Sequence, residues 1–389
     1  MSTDEPINHA SHSADAPFFV ADMDEVRRRY REWTRQLPRV EPFYAVKCNP
    51  DPVLLGVLAS MGVGFDCASE NELRAVLALN VSADRIVYAN PCKSPSHIQF
   101  AARARIRYVT FDNADELWKI RRLHPRAKLL LRISTDDSRS AVPLSKKFGA
   151  PMDAVPRLLV LARHLGLDVV GISFHVGCEC YDPRAYITAV HQARQCFQWG
   201  EEAGYRFKVL DVGGGFSGIR RGRPRAASFA QTAMALNQAL DRWFPSGCGV
   251  RIIAEPGRYF VERAYTLAVS VIARRIAKKK QRTADTSADT TANITLAVDY
   301  ISDGIFGSFH IPFLDGAVPK PRVLRRGARY MFGDADVAEL PTYASTVWGP
   351  TCDTTDLVHQ ELQLPELDIG DWLMYENMGA YTLAAASAL

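Results

Sequence analysis

The chain has 389 residues, of which 47% are hydrophobic, 23% charged and 10% aromatic, with a formal net charge of +4. This small charge makes nucleic acids and anionic membranes poor candidate partners, and no apolar run is long enough to cross a bilayer. The composition is ordinary for a soluble enzyme, and the length favours two domains over a single small core.

The N-terminal segment and the cysteines bear on the compartment. Residues 1–19 are polar and acidic and lack the basic and apolar stretches of a secretory signal, so none is predicted. Among the eight cysteines only Cys178 and Cys180 are closely spaced, and this CxC has no second pair or nearby histidine pair to complete a zinc site. We therefore expect reduced thiols, no bound metal and a cytoplasmic protein.

From residue 42 to residue 255, short apolar segments alternate with amphipathic ones. Eight such strand–helix units predict an α/β fold, a (β/α)8 barrel over residues 25–262. Two predicted helices have clear start signals: Ser69 followed by Glu72 opens residues 69–80, and Pro183 opens residues 182–204. The predicted strands are 42–47, 63–66, 86–89, 108–110, 128–133, 169–175, 207–212 and 252–255.

Six of these strands carry a polar residue at the carboxyl end. In a barrel those ends share one mouth, which is where active sites lie. Any one of the six has an ordinary structural explanation, such as a cap or a surface ion pair, but six together indicate a site. Lys47 is the most informative, because a lysine ending a buried strand loses hydration unless its charge is neutralised or its amine is used. The six are Lys47, Asp66, Arg132, His175, Asp211 and Glu255.

After residue 262 the pattern changes to strands without long helices. We expect residues 263–389, together with 1–24, to form a second, β-rich domain with a sandwich-like or barrel-like sheet. Residues 278–293 are basic and then polar, with almost no apolar side chains, and this composition predicts a mobile loop.

Two glycine-containing segments follow the last two predicted strands. DVGGGF (211–216) contains three consecutive glycines, which let backbone N–H groups approach an anion closely, at a position where such barrels often bind phosphate. In EPGRYF (255–260), Gly257 and Arg258 extend this phosphate cradle, and Glu255 can hold a cationic ring nitrogen. With His175 placed against the ring face, a lysine, a phosphate cradle and a carboxylate predict a pyridoxal phosphate site.

These motifs resemble those of the eukaryotic-type ornithine decarboxylases, which belong to the barrel-fold decarboxylases of basic amino acids. The resemblance runs from FYAVKCN (43–49) to YENMGAYT (375–382) and includes FDCASENE (65–72), AEPGRYF (254–260) and GPTCDTTD (349–356). It implies decarboxylation of a basic amino acid, most simply L-ornithine to putrescine and CO2, with pyridoxal phosphate as cofactor. It also implies a homodimer whose active sites are completed across the interface by the β-rich domain.

The resemblance assigns the cofactor site residue by residue. Lys47 is implied to bind the cofactor covalently, and Asp66 to orient that lysine. Glu255 is implied to meet the ring nitrogen, and Tyr381 to bind the phosphate from the C-terminal part of the chain. The full set implied to hold the cofactor is Lys47, Arg132, His175, Cys178, Gly213, Gly214, Gly215, Glu255, Gly257, Arg258 and Tyr381.

The resemblance also assigns the substrate site and the interface. Cys352 is implied to return a proton to the substrate α-carbon after CO2 leaves, acting on the partner subunit's site. Asp315 and Asp353 are implied to bind the distal amine, since two carboxylates favour a cationic tail through charge-assisted hydrogen bonds. Lys147 and Asp356 are implied to form a pair that bridges the subunits.

Departures from the family pattern lie around the cofactor phosphate and the substrate tail. Cys178 and Glu179 stand where the family has serine and glycine. A thiol is a poorer donor than a hydroxyl, and a carboxylate near a phosphate is repulsive unless it points away. Phe306 replaces an expected tyrosine, and Leu314 replaces another.

The departures leave alternatives open. The substrate could be lysine, arginine or a modified amino acid in specialised metabolism. A second interpretation is a non-catalytic homologue that regulates polyamine metabolism by competing for binding partners, although the retained Lys47 and Cys352 argue against it. A racemase-like activity on the same barrel is the poorest fit, because racemases lack the GPTCD loop.

Overall fold

The computed structural model describes residues 15–218, 227–282, 291–314, 316, 318–331 and 340–387, and for 277–282 and 291–296 it describes only the backbone. The chain divides into two compact units. We call Asp22–Ala264 with Gly379–Ala384 the barrel unit, and Met1–Ala21, Tyr265–Met378 and Ala385–Leu389 the sheet unit.

Strands and helices alternate through the barrel unit, whereas strands dominate the sheet unit. In chain order, the strands are β1 Phe18–Ala21, β2 Val40–Ala45, β3 Gly64–Cys67, β4 Ile86–Tyr88, β5 Tyr108–Phe111, β6 Lys128–Arg132, β7 Ser140–Val142, β8 Asp168–Ser173, β9 Cys178–Cys180, β10 Val209–Asp211, β11 Arg251–Ala254, β12 Tyr265–Arg282, β13 Thr291–Ile301, β14 Arg322–Arg326, β15 Arg329–Tyr330, β16 Thr342–Trp348, β17 Leu357–Pro365 and β18 Trp372–Tyr375. The helices are α1 Met23–Gln36, α2 Pro52–Ser60, α3 Glu70–Leu77, α4 Pro95–Arg103, α5 Ala114–Leu123, α6 Val155–His164, α7 Arg184–Glu202, α8 Phe229–Trp243, α9 Arg258–Val261 and α10 His310–Leu314.

Eight parallel strands of the barrel unit close into a barrel, which confirms the predicted (β/α)8 fold class. Their order around the barrel is β10-β11-β2-β3-β4-β5-β6-β8. One buried cluster joins five of these strands through apolar side chains, as expected when strand side chains fill a closed barrel. Its members are Phe43, Val87, Leu130, Val209 and Ile253.

Both predicted helices are present, but α7 begins at Arg184, so Pro183 is its N-cap residue and does not lie in the first turn. Helix α3 begins at Glu70, and the Oγ of Ser69 accepts a hydrogen bond from the Glu72 N–H at 3.3 Å. The Glu72 carboxylate reaches back to the N–H of Ala68, at 2.8 Å. The bond from Ala68 is therefore made by the residue before the N-cap, whereas in a standard capping box the N-cap N–H itself makes it.

Several predicted strands extend too far. Strand β2 ends at Ala45, and Lys47 lies on a 3-10 turn over Val46–Cys48. His175 and Glu255 likewise lie just beyond the ends of β8 and β11. The cause is that Val46 stays buried after strand pairing has ended, so an apolar pattern does not locate the last paired residue.

The sheet unit is built on one mixed sheet, which confirms the β-rich second part of the predicted fold class. The strand order is β15-β14-β18-β12-β13-β16-β17, and β1 pairs with β12. Strands β13 and β16 are parallel, whereas the other pairs are antiparallel. Leu267, Val269, Leu373 and Tyr375 are among the buried side chains of its core.

The prediction of a mobile loop over residues 278–293 is wrong for the residues at both ends of this range. Residues 278–282 extend β12 and residues 291–293 begin β13, in an antiparallel ladder that continues to the pair Arg282↔Thr291. Residues 283–290 lie outside the described residues. A ladder of backbone hydrogen bonds does not require apolar side chains, which is why the composition of this segment is misleading. Within the described part of the chain, no helix is both long and apolar enough to cross a membrane.

Candidate active site

A pocket of about 360 Å³, its opening included, lies in the barrel unit. Its walls come from the segments that follow strands β2, β8, β10 and β11, together with Tyr381. The carboxyl ends of barrel strands therefore converge here, as the sequence pattern predicted. The lining residues are Ala45, Lys47, His175, Cys178, Glu179, Gly214, Gly215, Phe216, Glu255, Gly257, Arg258 and Tyr381.

Lys47 and Asp66 form an ion pair in this pocket. The Lys47 Nζ donates to Asp66 Oδ2, and the lysine side chain is 43% exposed while the aspartate is fully buried. Burial disfavours the charged amine, but the negative charges of Asp66, Tyr381 and Glu255 outweigh it and raise the pKa of Lys47 above its ordinary value. Among the described residues, Asp66 Oδ1 has no hydrogen-bond partner.

Asp211 and Glu255 are two interacting carboxyl groups at the ends of neighbouring strands. Burial raises the pKa of Asp211 to about 7, although the Gly213 N–H donates to its Oδ1 at 2.9 Å and acts in the opposite direction. Burial, followed by the charges of Asp211 and Asp66, raises the pKa of Glu255 well above its ordinary value. Both shifts favour the protonated carboxyl groups, and a cation placed beside the pair would favour ionisation.

His175 is held as a neutral ring. Its Nδ1 accepts a hydrogen bond from the Gly177 N–H at 3.1 Å, so the ring hydrogen belongs on Nε2. Burial, followed by the positive charges of Arg132 and Lys47, lowers the pKa of His175 well below its ordinary value. A neutral imidazole can lie against an aromatic cofactor ring without adding charge to the site.

The glycine loop after β10 has room for no side chain. Gly213 has φ +64°, and a β-carbon there would lie 2.1 Å from the Phe174 carbonyl oxygen. A β-carbon on Gly214 would lie 2.7 Å from His175 Nε2. The carbonyl of Gly214 is fixed by the hydroxyl of Tyr186 at 2.8 Å. This close-packed backbone leaves the kind of cradle into which a phosphate fits.

Arg258, at the start of α9, lies beside the glycine loop. Its guanidinium carbon is 4.8 Å from the centre of the Tyr381 ring. Tyr381 adopts a left-handed φ of +57°, and its N–H donates to the Cys48 carbonyl at 2.8 Å. This turn carries the C-terminal segment Gly379–Ala384 into the barrel unit.

Cys178 and Glu179 belong to β9, which pairs with β7. Glu179 does not point away from the pocket: it lines the pocket and is only 3% exposed. Its Oε1 lies 4.0 Å from Arg258 Nε, and Glu262 Oε1 lies 3.8 Å from Arg258 Nη1. The arginine is therefore flanked by two carboxylates.

Arg132 and Lys147 share an aromatic neighbour within the barrel unit. Arg132, half-buried at the end of β6, has its guanidinium carbon 5.3 Å from the centre of the Phe148 ring. Lys147 is exposed, with its Nζ 5.0 Å from the same ring centre. The positive charge of Arg132 affects the pocket by helping to lower the pKa of His175.

Cys352, Asp353 and Asp356 belong to the sheet unit, on the turn between β16 and β17. Cys352 and Asp353 are exposed, and bonds from the Thr355 N–H and hydroxyl lower the pKa of Asp353. Asp356 is fully buried and accepts hydrogen bonds from the Ile305 N–H at 2.7 Å and from the Thr351 N–H and hydroxyl at 3.0 and 2.7 Å. Its carboxylate thus fixes the turn of its own chain. The predicted substrate residue Asp315 lies outside the described residues.

Comparison with known proteins identifies the family. Residues 23–262 match the family model described as pyridoxal-dependent decarboxylase, pyridoxal binding domain. The chain is 44% identical to ornithine decarboxylase of Rattus norvegicus over 99% of its own length and 80% of that protein. It is 46% identical to ornithine decarboxylase of Schizosaccharomyces pombe over 95% of its length and 80% of that protein. This chain belongs to the eukaryotic-type ornithine decarboxylase family.

Other relatives of this decarboxylase-family member carry different names. Antizyme inhibitor 2 of Xenopus laevis is 45% identical over 99% of this chain and 81% of that protein. Among solved structures, the arginine decarboxylase of Paramecium bursaria Chlorella virus, bound to agmatine, superposes with a TM-score of 0.84 at 33% identity. That match covers 96% of this chain and 93% of the viral one.

The residues of the pocket fit the pyridoxal phosphate of this decarboxylase family. Gly214, Gly215 and Arg258 line the pocket, and the glycine loop packs so closely that a β-carbon at Gly213 or Gly214 would collide with Phe174 or His175. The carboxyl pair Asp211–Glu255 suits a protonated ring nitrogen. Lys47 supplies an amine that lines the same pocket.

Sequence reasoning missed three features of this site. The sequence marks Asp211 only as a strand-end residue, and its pairing with Glu255 follows from the adjacency of β10 and β11. Tyr186, which fixes the glycine loop, comes from helix α7 and gives no local sequence signal. The position of Glu179 beside Arg258 depends on the pairing of β9 with β7, which joins segments about forty residues apart.

Proposed function

We propose that this decarboxylase converts L-ornithine to putrescine and CO2, with pyridoxal phosphate as its cofactor. The observation that carries the proposal is a pocket with Lys47, a glycine cradle and Arg258 in a chain 44–46% identical to ornithine decarboxylases. We further propose that the protein is a cytoplasmic homodimer that acts in polyamine biosynthesis.

The cofactor's contribution is chemical and general. When bound, pyridoxal phosphate supplies an electron-accepting ring that stabilises the negative charge left on the substrate α-carbon as CO2 departs. The chain's own residues position it: Lys47 attaches it covalently, and Asp66 holds the lysine amine by an ion pair. The carboxyls of Asp211 and Glu255 hold the proton on the ring nitrogen, because a buried anionic pair is stabilised by an adjacent cation.

Two further contacts orient the group. His175 would contact the cofactor ring as a neutral imidazole, and the bond from the Gly177 N–H to its Nδ1 sets the orientation of the imidazole. The backbone of residues 213–215 and the guanidinium of Arg258 would bind the phosphate, since Gly214, Gly215 and the nearly buried Arg258 line the pocket. Tyr381 stacks on Arg258 and limits its rotamers.

Cys352 and Asp353 are assigned to the active site of the partner subunit, and Asp315 is assigned to substrate binding. Cys352 gives a proton to the substrate α-carbon after CO2 leaves, and its exposure on a turn suits a residue that acts outside its own chain. Asp353 and Asp315 bind the distal amine of the substrate. Lys147 lies at the proposed subunit interface, and Asp356, which is buried in its own chain, acts there through the turn that its carboxylate fixes.

The substrate proposal has competitors with related chemistry. The structural relatives include a lysine/ornithine decarboxylase of Vibrio vulnificus complexed with cadaverine, at 29% identity and a TM-score of 0.80 over 96% of this chain and 91% of that one. Ornithine is the proposed substrate because the ornithine decarboxylases match at 44–46% identity, whereas the lysine decarboxylase of Selenomonas ruminantium and the viral arginine decarboxylase match at 32–34%.

A second candidate function is favoured by one specific observation, the 45% identity to an antizyme inhibitor. Under this alternative the protein is a regulatory homologue without catalytic activity. The intact pair Lys47–Asp66 and the glycine cradle favour the enzyme, because a regulator has no need of an amine in a cofactor pocket.

The experiment that separates them compares the wild type with Lys47→Ala and Cys352→Ala, each supplied with pyridoxal phosphate and ornithine. We expect turnover in the wild type, none in Lys47→Ala, and slowed or diverted product formation in Cys352→Ala. An inactive wild type that does not bind the cofactor would support the regulatory homologue. Wild-type rates in both variants would contradict the assigned roles.

A further inference from the structure

Glu179 occupies a position that is unusual for a glutamate. Its φ is +52°, in the left-handed region that favours glycine, and its side chain is 3% exposed. The hydrogen bond from the Cys180 N–H to the Gly215 carbonyl, at 3.4 Å, ties this strand to the glycine loop. A charged side chain is thus buried in the wall of the cofactor pocket, on a backbone conformation that opposes it.

One partner of that carboxylate is Arg258, the arginine of the phosphate cradle. Glu179 Oε1 is 4.0 Å from Arg258 Nε, a distance that is too long for a hydrogen bond but close for two nearly buried charges. Glu262 lies 3.8 Å from the other side of the same guanidinium. The cation that a phosphate would use is already attracted by two carboxylates.

We propose that the Glu179 carboxylate competes with the cofactor phosphate for the guanidinium of Arg258, so that Glu179 sets a reduced affinity for phosphorylated ligands. The inference rests on the proposed function, because it takes pyridoxal phosphate as the ligand of this pocket. The proposal has two physical causes. The phosphate must share Arg258 with Glu179, and the phosphate also comes close to the negative charge of Glu179 in a site of low dielectric. Glu179 is accordingly a specificity-determining residue for the phosphate group and has no direct part in bond breaking.

The test measures binding of pyridoxal phosphate to the full chain after removal of any bound cofactor, for the wild type, Glu179→Gln and Glu179→Gly. The amide keeps the shape without the charge, and glycine suits the φ of +52°. We expect both variants to lower the dissociation constant by on the order of tenfold. Inorganic phosphate, added as a competitor of pyridoxal phosphate, should have a lower inhibition constant in both variants than in the wild type. The dissociation constant of unphosphorylated pyridoxal should be unchanged.

The matched control is Glu41→Gln. Glu41 is also a barrel-unit carboxylate paired with an arginine, Arg251, at 2.9 Å, but it lies near the amino ends of β2 and β11. Its variant should bind pyridoxal phosphate like the wild type. Unchanged or weaker binding in both Glu179 variants, or an equal gain for pyridoxal, overturns the inference. A wild type that binds no pyridoxal phosphate overturns the proposed function instead.

Discussion

The fully buried carboxyl of Asp211 interacts with the half-buried carboxyl of Glu255 across neighbouring barrel strands, and the pKa of each is raised. In the folded protein Asp211 keeps its proton up to about pH 7, whereas in the unfolded chain it loses it near its ordinary value of 3.8. Between these values the native state binds more protons than the unfolded state, so the free energy of unfolding falls as pH rises.

The first prediction concerns this slope in the cofactor-free protein. Between pH 5 and pH 7 we expect the wild type to lose stability relative to Asp211→Asn, by up to about 1.4 kcal/mol per pH unit for each proton involved. Denaturant unfolding at the two pH values measures it. Asp299, whose pKa is raised to about 6, and His175, whose pKa is lowered, contribute to the slope of both proteins, so the difference reports the Asp211–Glu255 pair. Equal slopes in wild type and variant would contradict the pairing.

The second prediction concerns the ion pair of Lys47 with Asp66. Because Asp66 raises the pKa of Lys47, Asp66→Asn should release an unprotonated amine at lower pH and shift the pH dependence of covalent cofactor attachment down by about one unit. Absorbance titration of the protein with pyridoxal phosphate measures the midpoint. Asp241→Asn, which removes an exposed carboxylate paired with Arg39 at 2.7 Å, should leave it unchanged. Identical midpoints in Asp66→Asn and wild type would refute the electrostatic role.

The third prediction concerns the glycine loop. Gly213→Ala should lower the free energy of unfolding by about 3 kcal/mol or more and abolish cofactor binding, because its β-carbon would lie 2.1 Å from the Phe174 carbonyl oxygen. Gly56→Ala is the control, since nothing lies within 4 Å of its β-carbon in helix α2, and it should stabilise by up to about 1 kcal/mol. A tolerated Gly213→Ala would mean that the loop is not closely packed.

The fourth prediction separates two roles for Asp356. Asparagine at this position cannot accept the three hydrogen bonds from Ile305 and Thr351 with both oxygens, so Asp356→Asn should cost about 1–3 kcal/mol at every protein concentration. Lys147→Ala, at an exposed side chain, should leave this stability unchanged and affect only the dissociation of the proposed dimer. If Asp356→Asn has the same free energy of unfolding as the wild type but forms a weaker dimer, Asp356 would act only at the proposed interface.

The barrel is well predicted from the sequence because eight apolar segments and their polar ends are local features. Strand order alone assigns Lys47, Glu255 and Arg258 to one pocket, and all three line it. Strand ends are less accurately predicted, since burial of Val46 continues past the last paired residue of β2.

Relationships between distant segments are beyond sequence reasoning. The bond from Tyr186 to Gly214 joins a helix to a loop 28 residues away, and no pattern in either segment indicates it. The contact of Glu179 with Arg258 requires the pairing of β9 with β7. Similarly, the backbone ladder that carries β12 through basic residues has no hydrophobic signal.

The most direct test of the central claim is CO2 release by the purified protein with pyridoxal phosphate, offered ornithine, lysine and arginine separately. We predict CO2 and an equal amount of putrescine from ornithine, at a kcat/KM at least about tenfold above that for the other two amino acids, equivalent to about 1.4 kcal/mol. No CO2 from any of the three, or a preference for lysine or arginine, would contradict the claim.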